Sequence, residues 1–160
     1  MGATALCDGS DIDVAGASCI GFIDGNLNGN APSIAEINLN LAVWGVNLTS
    51  AMPLTSMLSD LTGGTTINFS QMLYGDTIVG IHFGNVTDAF GTKSNNVTAF
   101  YRFDAGAGLD SFTTKFASLS NATLYSTDAA VTPVPEAETY AMMLAGLGLM
   151  GVVARRRKQK

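Results

Sequence analysis

The C-terminal segment combines an uncharged apolar run with a cluster of basic residues. Residues 140–154, YAMMLAGLGLMGVVA, carry no charged side chain. Five of the chain's eight basic residues lie among the last six positions: Arg155, Arg156, Arg157, Lys158 and Lys160. As a helix the run would measure about 22 Å, at ~1.5 Å per residue, against a hydrocarbon layer of ~30 Å. Arginine side chains that snorkel to the interface at one end, and residues 137–139 at the other, can make up the missing length. The pattern therefore predicts a short transmembrane helix at 140–154.

The basic cluster also orients the predicted helix. Because basic residues stay on the cytoplasmic side, residues 155–160 are predicted to be a cytoplasmic tail and the preceding chain to lie outside. The chain before this tail has three basic residues against 13 acidic ones, and the pI is near 4.5. This acidic balance argues against nucleic acid as a partner. The alternative, a buried terminal helix, is disfavoured by the four consecutive basic residues.

A short proline-containing spacer precedes the predicted helix. Its central residues are Val134, Pro135, Glu136 and Ala137. The order of spacer, short apolar helix and arginine run resembles the PEP-CTERM sorting signal of exported bacterial proteins, over residues 133–158. Pro135 and Glu136 match the first two motif residues, whereas Ala137 stands where the second proline is expected. The resemblance implies processing near this motif by an exosortase, a membrane peptidase.

Two features near the N-terminus agree with export. Residues 3–5, Ala-Thr-Ala, form a triplet that signal peptidase recognises, so residues 1–5 are predicted to be a signal-peptide remnant; coincidence in an alanine-rich chain is the alternative. Cys7 and Cys19 are the two cysteines of the chain, and in an exported protein such a pair predicts a disulfide. The alternative is two free thiols in a cytosolic protein.

Residues 6–130 are predicted to be an exported, mainly β domain, joined to the membrane helix by a linker at 131–139. Apolar residues alternate with polar or small ones in several stretches between residues 65 and 127, and glycine or asparagine turns separate these stretches. The alternating residues include Ile67, Phe69, Val79, Ile81, Phe83, Val97, Tyr101, Phe103, Phe112, Phe116, Ala122 and Leu124. Short antiparallel strands of this kind predict a β-sandwich or jelly-roll-like domain.

Residues 31–62 predict one or two short helices. Ser33 and Glu36 have the spacing of a capping box, and Gly45 is suited to end the first helix. Its apolar face would contain Ile34, Ile37, Leu41 and Trp44. Because Ile37, Leu39 and Leu41 also alternate with asparagines, a strand is the alternative. Apolar residues after Pro53 indicate a second short helix.

A calcium-loop pattern begins at Asp24. The proposed ligands are Asp24, Asn26, Asn28 and the displaced Glu36. Alternating oxygen side chains before Gly29 match the first half of a calcium loop, although Ala35 stands at the position of the last ligand. The favoured alternative is an Asn/Gly-rich turn without metal. A second acidic cluster, Asp8, Asp11 and Asp13, is expected only to solvate the loop between Cys7 and Cys19, called the cysteine loop.

No pattern in the sequence selects a catalytic site. His82 is the single histidine, and no G-x-S-x-G nucleophile elbow is present. The sequence therefore predicts a non-enzymatic protein that is held in the inner membrane during sorting and then reaches the cell surface or the extracellular matrix. The family resemblance implies association with exopolysaccharide or biofilm. The alternatives are a calcium-dependent carbohydrate-binding module and, less favoured, a secreted hydrolase.

Overall fold

The computed structural model describes residues 6–27, 31–48, 56–59 and 64–129. Within these residues the chain forms seven strands and one α-helix. In chain order they are β1 (Ser18–Asp24), α1 (Ala31–Leu41), β2 (Ser56–Ser59), β3 (Thr66–Leu73), β4 (Asp76–Thr87), β5 (Lys93–Asp104), β6 (Leu109–Thr113) and β7 (Leu119–Ser126). The mainly β prediction is therefore confirmed.

A long hairpin of β4 and β5 forms the centre of the larger sheet. The two strands pair from Asp76 with Asp104 to Thr87 with Lys93. The sheet has five strands in the order β1-β5-β4-β7-β2, while β3 and β6 form a separate two-stranded sheet. All of these pairings are antiparallel, as the alternating patterns predicted.

One face of the five-stranded sheet packs against the two-stranded sheet. Val79, Ile81 and Phe83 of β4 are fully buried there, because alternate residues of a strand point to the same face. Phe103 of β5 meets Phe112 of β6 edge to face, with ring centroids 5.3 Å apart. This cluster is the main core and joins the two sheets.

The other face of the five-stranded sheet is covered by α1. Ile37 and Leu41 of the helix are fully buried with Ile78 and Phe100 of the sheet. Leu39 is 77% exposed, because it projects from the opposite side of the helix. This difference excludes the strand alternative, in which residues 37, 39 and 41 would share one face. The central strands are thus buried on both faces.

A glycine makes room for an aromatic ring beneath this helix. A Cβ atom at Gly80 of β4 would lie 2.7 Å from Cε2 of Tyr125. The ring of Tyr125 packs instead against Phe100 across the gap, with ring centroids 5.8 Å apart. A larger residue at position 80 would therefore displace the Tyr125 ring from the second core cluster.

The helix boundaries correct two predictions. Helix α1 begins at Ala31, so Ser33 is its third residue and the predicted capping box is wrong. Its end agrees with the prediction, because a 3-10 turn at Ala42–Trp44 leads to Gly45 at a φ of 71°, where glycine is favoured. The second predicted helix is wrong over residues 56–59, which form β2 and pair with β7.

Candidate functional site

The predicted sorting signal lies outside the described residues. This applies to the motif at 134–137, the transmembrane helix at 140–154 and the basic residues 155–158, as well as to the linker at 131–139 and residues 1–5. Among the residues that the structure describes, no helix has the length and hydropathy needed to span a membrane. The assignment of the signal therefore rests on sequence.

The predicted disulfide is confirmed. Cys7 and Cys19 are bonded, with their Cα atoms 6.0 Å apart. Cys19 is the second residue of β1 and pairs with Tyr101 of β5. The bond thus fastens the N-terminal loop to an edge strand of the larger sheet. Closing a loop of this length stabilises a fold by about 3 kcal/mol in the chain-entropy model.

The acidic residues inside this loop do more than the solvation that was expected. The Asp8 carboxylate accepts a hydrogen bond from the Ser10 amide (2.7 Å), and the Asp8 amide donates to the Asp11 carboxylate (2.8 Å). This reciprocal pair caps the 3-10 turn Gly9–Asp11. The backbone hydrogen bond from Ser10, its hydroxyl and the nearby Lys115 lower the pKa of Asp8.

The same loop is also joined to the end of β6. The Asp13 amide donates to the carbonyl of Thr113 (3.0 Å), and the Asp13 carboxylate accepts from the Thr113 amide (2.5 Å). The Lys115 amide donates to the carbonyl of Asp11 (2.9 Å), and the Lys115 ammonium lies 3.8 Å from the Asp11 carboxylate. These carboxylates therefore satisfy backbone donors and connect the loop to the two-stranded sheet.

The predicted calcium loop begins at the end of β1. Asp24 and Asn26 are exposed, Glu36 lies on α1, and Asn28 falls outside the described residues. The side-chain oxygen of Asn26 accepts a hydrogen bond from the Asn121 amide group (3.2 Å). Among the described residues, no group of three or more histidine, cysteine or acidic side chains has the arrangement of a metal site. Calcium binding stays a prediction.

Two side chains that the sequence did not identify hold this loop in place. The Thr98 hydroxyl of β5 donates to the Gly25 carbonyl (2.7 Å) and accepts from the Leu27 amide (3.0 Å). The Tyr125 hydroxyl of β7 donates to the Leu27 carbonyl (2.9 Å). Because both residues lie in strands far away in sequence, no local pattern could have identified them.

His82 lies on the same sheet face, beside Thr98 and Asn121 in the strand register. Its Nε2 atom is 3.0 Å from the side-chain oxygen of Asn96, and its Nδ1 atom is buried without a hydrogen-bond partner among the described residues. Burial lowers the pKa of His82, and the Asn96 hydrogen bond partly opposes this effect. A neutral ring with Nε2–H donating to Asn96 fits this environment. The described partner is an amide, whereas a catalytic triad places a carboxylate beside the histidine.

The comparison with protein families identifies the C-terminal segment. A family model described as the PEP-CTERM protein-sorting motif matches residues 133–158, the range that the sequence predicted. The chain thus carries a C-terminal sorting signal of the PEP-CTERM type, and this signal implies export. The motif implies an exosortase as the processing partner. No curated protein and no solved structure matches the chain.

Proposed function

We propose that the protein is delivered by exosortase processing to the cell surface or extracellular matrix, where it serves as a non-enzymatic component associated with exopolysaccharide. The observation that carries this proposal is the sorting-motif match at residues 133–158. The disulfide between Cys7 and Cys19 supports it, because disulfides persist in oxidising compartments outside the cytoplasm.

The sorting step follows from the dimensions and charges of the signal. An apolar helix over 140–154 would hold the chain in the inner membrane, and residues 155–158 would stop transfer at the cytoplasmic face. Pro135 and Glu136 would then lie near the opposite membrane–water boundary. At this position the peptide is accessible to a membrane peptidase, while the folded domain is already outside.

The composition of the domain supports a matrix role. Only 13% of the whole chain is charged, about half the usual ~25%, whereas asparagine, serine and threonine are abundant. Amide and hydroxyl groups both donate and accept hydrogen bonds, so they suit the hydroxyl-rich surface of a polysaccharide. This chemistry needs no catalytic group.

Mass spectrometry of the protein from its native host tests the sorting proposal. We expect the surface-exposed protein to lack residues 155–160, because processing near Pro135 removes everything after the cleavage point. Replacing Arg155, Arg156 and Arg157 together by Gln should leave unprocessed protein, whereas the matched replacement by Lys, which keeps the charge, should be processed. Recovery of an intact C-terminal tail on the mature surface protein would overturn the proposal.

A further inference from the structure

Two open cavities lie side by side at the end of the β4–β5 hairpin. One has a volume of about 300 Å³ and the other about 400 Å³, and both are lined by residues 85–87, so they are adjacent. We call the pair the lysine groove. Its polar and aromatic lining includes Asn85, Lys93, Asn95, Lys115, Phe116 and Ser118.

The lysine groove holds two of the three basic residues that precede the C-terminal tail. Lys93 is exposed and forms no ion pair within the described residues. The Lys115 side chain is 58% exposed; its ammonium donates to the Ser10 hydroxyl (2.8 Å) and lies 3.8 Å from Asp11. Lys93 therefore offers an exposed ammonium at this place, and Lys115 adds a partly exposed one that also contacts Ser10 and Asp11.

The third basic residue is engaged elsewhere. Both Arg102 nitrogens that face Asp76 donate to its carboxylate, at 2.7 and 2.8 Å. Arg102 lies nine positions after Lys93 on β5, which corresponds to roughly 30 Å at ~3.3 Å per residue. It is therefore at the other end of the sheet and serves as a natural control for the two lysines.

Neutral hydrogen-bonding groups lie between the lysines. Asn85 and Asn95 are exposed and occupy paired positions on β4 and β5. Ser118 is fixed against this strand, because its carbonyl accepts from the Gly84 amide (2.8 Å) and its hydroxyl donates to the Asn85 carbonyl. The Asn85 side chain thus extends from a strand end that Ser118 holds by two hydrogen bonds, and both amides can donate and accept.

An exposed aromatic ring stands at the tip of the same hairpin. Phe90 is 79% exposed. The carboxylate of the largely buried Asp88 accepts from the amides of Phe90 (2.9 Å) and Thr92 (2.7 Å), which fixes the turn that presents the ring. Gly91 has a φ of 82°, a conformation that glycine adopts without strain. The exposed ring on this hydrogen-bonded turn can offer its face to a ligand.

We propose that the lysine groove, with Phe90 on the adjoining hairpin turn, binds a segment of an acidic polysaccharide. The lysines would pair with sugar carboxylates, the asparagine amides would bond to sugar hydroxyls, and the Phe90 ring would stack on the apolar face of a sugar ring. This inference rests on the proposed association with exopolysaccharide and specifies its ligand class and location. A larger cavity of about 540 Å³ in the cysteine loop is lined by Asp8 and Asp13, whose charge would repel such a ligand.

Binding of the full chain, kept in a non-ionic detergent, to the polyuronate alginate tests the proposal, with neutral dextran as the reference polymer. We expect alginate to bind more tightly than dextran, and the difference to shrink at high salt, which screens exposed charges. The double variant Lys93→Gln/Lys115→Gln should bind alginate about tenfold more weakly, a change of ~1.4 kcal/mol. Phe90→Ala should weaken binding to both polymers, because stacking does not depend on charge.

Arg102→Gln is the matched control, because it removes the same unit of charge outside the groove. It should bind alginate with nearly unchanged affinity. Equal losses of alginate affinity in Arg102→Gln and in the single variant Lys93→Gln would overturn the proposal, since only net charge would then matter. Wild-type affinity in the double lysine variant would also overturn it. The substituted lysines and Phe90 are exposed, so circular dichroism and Tm should match the wild type.

The same variants separate this inference from the proposed function when the polysaccharide of the native host replaces alginate. If the wild type binds the host polysaccharide and the double lysine variant binds it equally well, the groove assignment fails while the association stands. If the wild type does not bind the host polysaccharide but binds alginate through the lysines, the association fails while the groove assignment stands.

Discussion

The hydroxyl of Thr98 bridges both sides of the loop that follows β1, because it donates to the carbonyl of Gly25 at 2.7 Å and accepts from the amide of Leu27 at 3.0 Å. Thr98 is 1% exposed and Leu27 is 6% exposed, so water could not readily replace this hydrogen bond if it were lost. Together with Tyr125, this side chain of β5 therefore anchors the loop at residues 25–27.

Replacing Thr98 by Val should lower the free energy of unfolding by about 2 kcal/mol, because the buried Leu27 amide loses its acceptor. Thr98→Ser keeps the hydroxyl and should cost clearly less. Chemical denaturation of the two variants measures the difference. Equal stability of Thr98→Val and the wild type would contradict the bridging role.

His82 should make stability depend on pH near neutrality. Burial lowers the pKa of His82 in the folded state below the ordinary 6.5, so the unfolded chain binds the proton more readily. Stability is then fully present above pH 6.5 and falls as the pH decreases from 6.5 toward the lowered pKa. Tm measured from pH 8 to pH 5 should show this decline, and His82→Gln should remove it.

Asp8 provides an internal control for that titration. The hydrogen bonds from Ser10 lower its pKa below 3.8, so its contribution is present above pH 3.8 and is lost only in stronger acid. The decline between pH 7 and 5 should therefore persist in Asp8→Asn. If the decline in Tm between pH 7 and 5 instead persists in His82→Gln, another titrating group causes it.

The disulfide should contribute measurably to stability. The double variant Cys7→Ser/Cys19→Ser should lose about 3 kcal/mol, or roughly 10 °C in Tm, because the loop is no longer closed in the unfolded chain. Reducing agent should lower the Tm of the wild type by a similar amount and leave the double variant unchanged. A wild-type Tm that is insensitive to complete reduction would contradict the prediction.

The departure at Ala137 should limit processing. If the second proline of the motif aids recognition, Ala137→Pro should raise the fraction of processed protein in the native host, whereas Pro135→Ala should lower it. Quantitative immunoblotting of tagged chains measures both fractions, and Ala130→Pro, outside the motif, controls for a general effect of proline. Reduced processing in Ala137→Pro would show that the native alanine is preferred.

Calcium should have little effect on the described loop. The Asn26 side-chain oxygen already accepts from Asn121, and the Gly25 and Leu27 carbonyls accept from Thr98 and Tyr125. We therefore expect the same Tm in millimolar calcium, in millimolar magnesium and in chelator. A saturable rise in Tm with calcium alone, lost in Asp24→Asn, would instead establish the metal site.

The sequence predicted the strands from β3 to β7 because each alternates clearly and turns separate them. It missed β1, where the register shifts between Ile20 and Ile23 and interrupts the pairing pattern. It also assigned residues 56–59 to a short helix, because Leu54, Met57, Leu58 and Leu61 have helical spacing after Pro53. Short edge strands take their conformation from the partner strand, and that information is not local.

The candidate sites show the same difference between local and non-local information. The disulfide and the sorting motif were predictable, since cysteine count and a contiguous three-part signal are local properties of the chain. The Thr98 bridge was not, because it joins residues 73 positions apart and depends on the pairing of β1 with β5. The lysine groove has the same origin, since Lys93 and Lys115 both border residues 85–87 only in the folded chain.

The position of β7 has a mechanical consequence. This last described strand lies between β4 and β2 and is followed by the segment that leads to the membrane signal. A pulling force transmitted through that segment would act on a strand held by hydrogen bonds along both sides. Extraction of β7 would require both ladders to yield, whereas an edge strand could peel from one neighbour. Two hydrogen-bonded ladders would therefore oppose a force that reaches β7 from its C-terminal side.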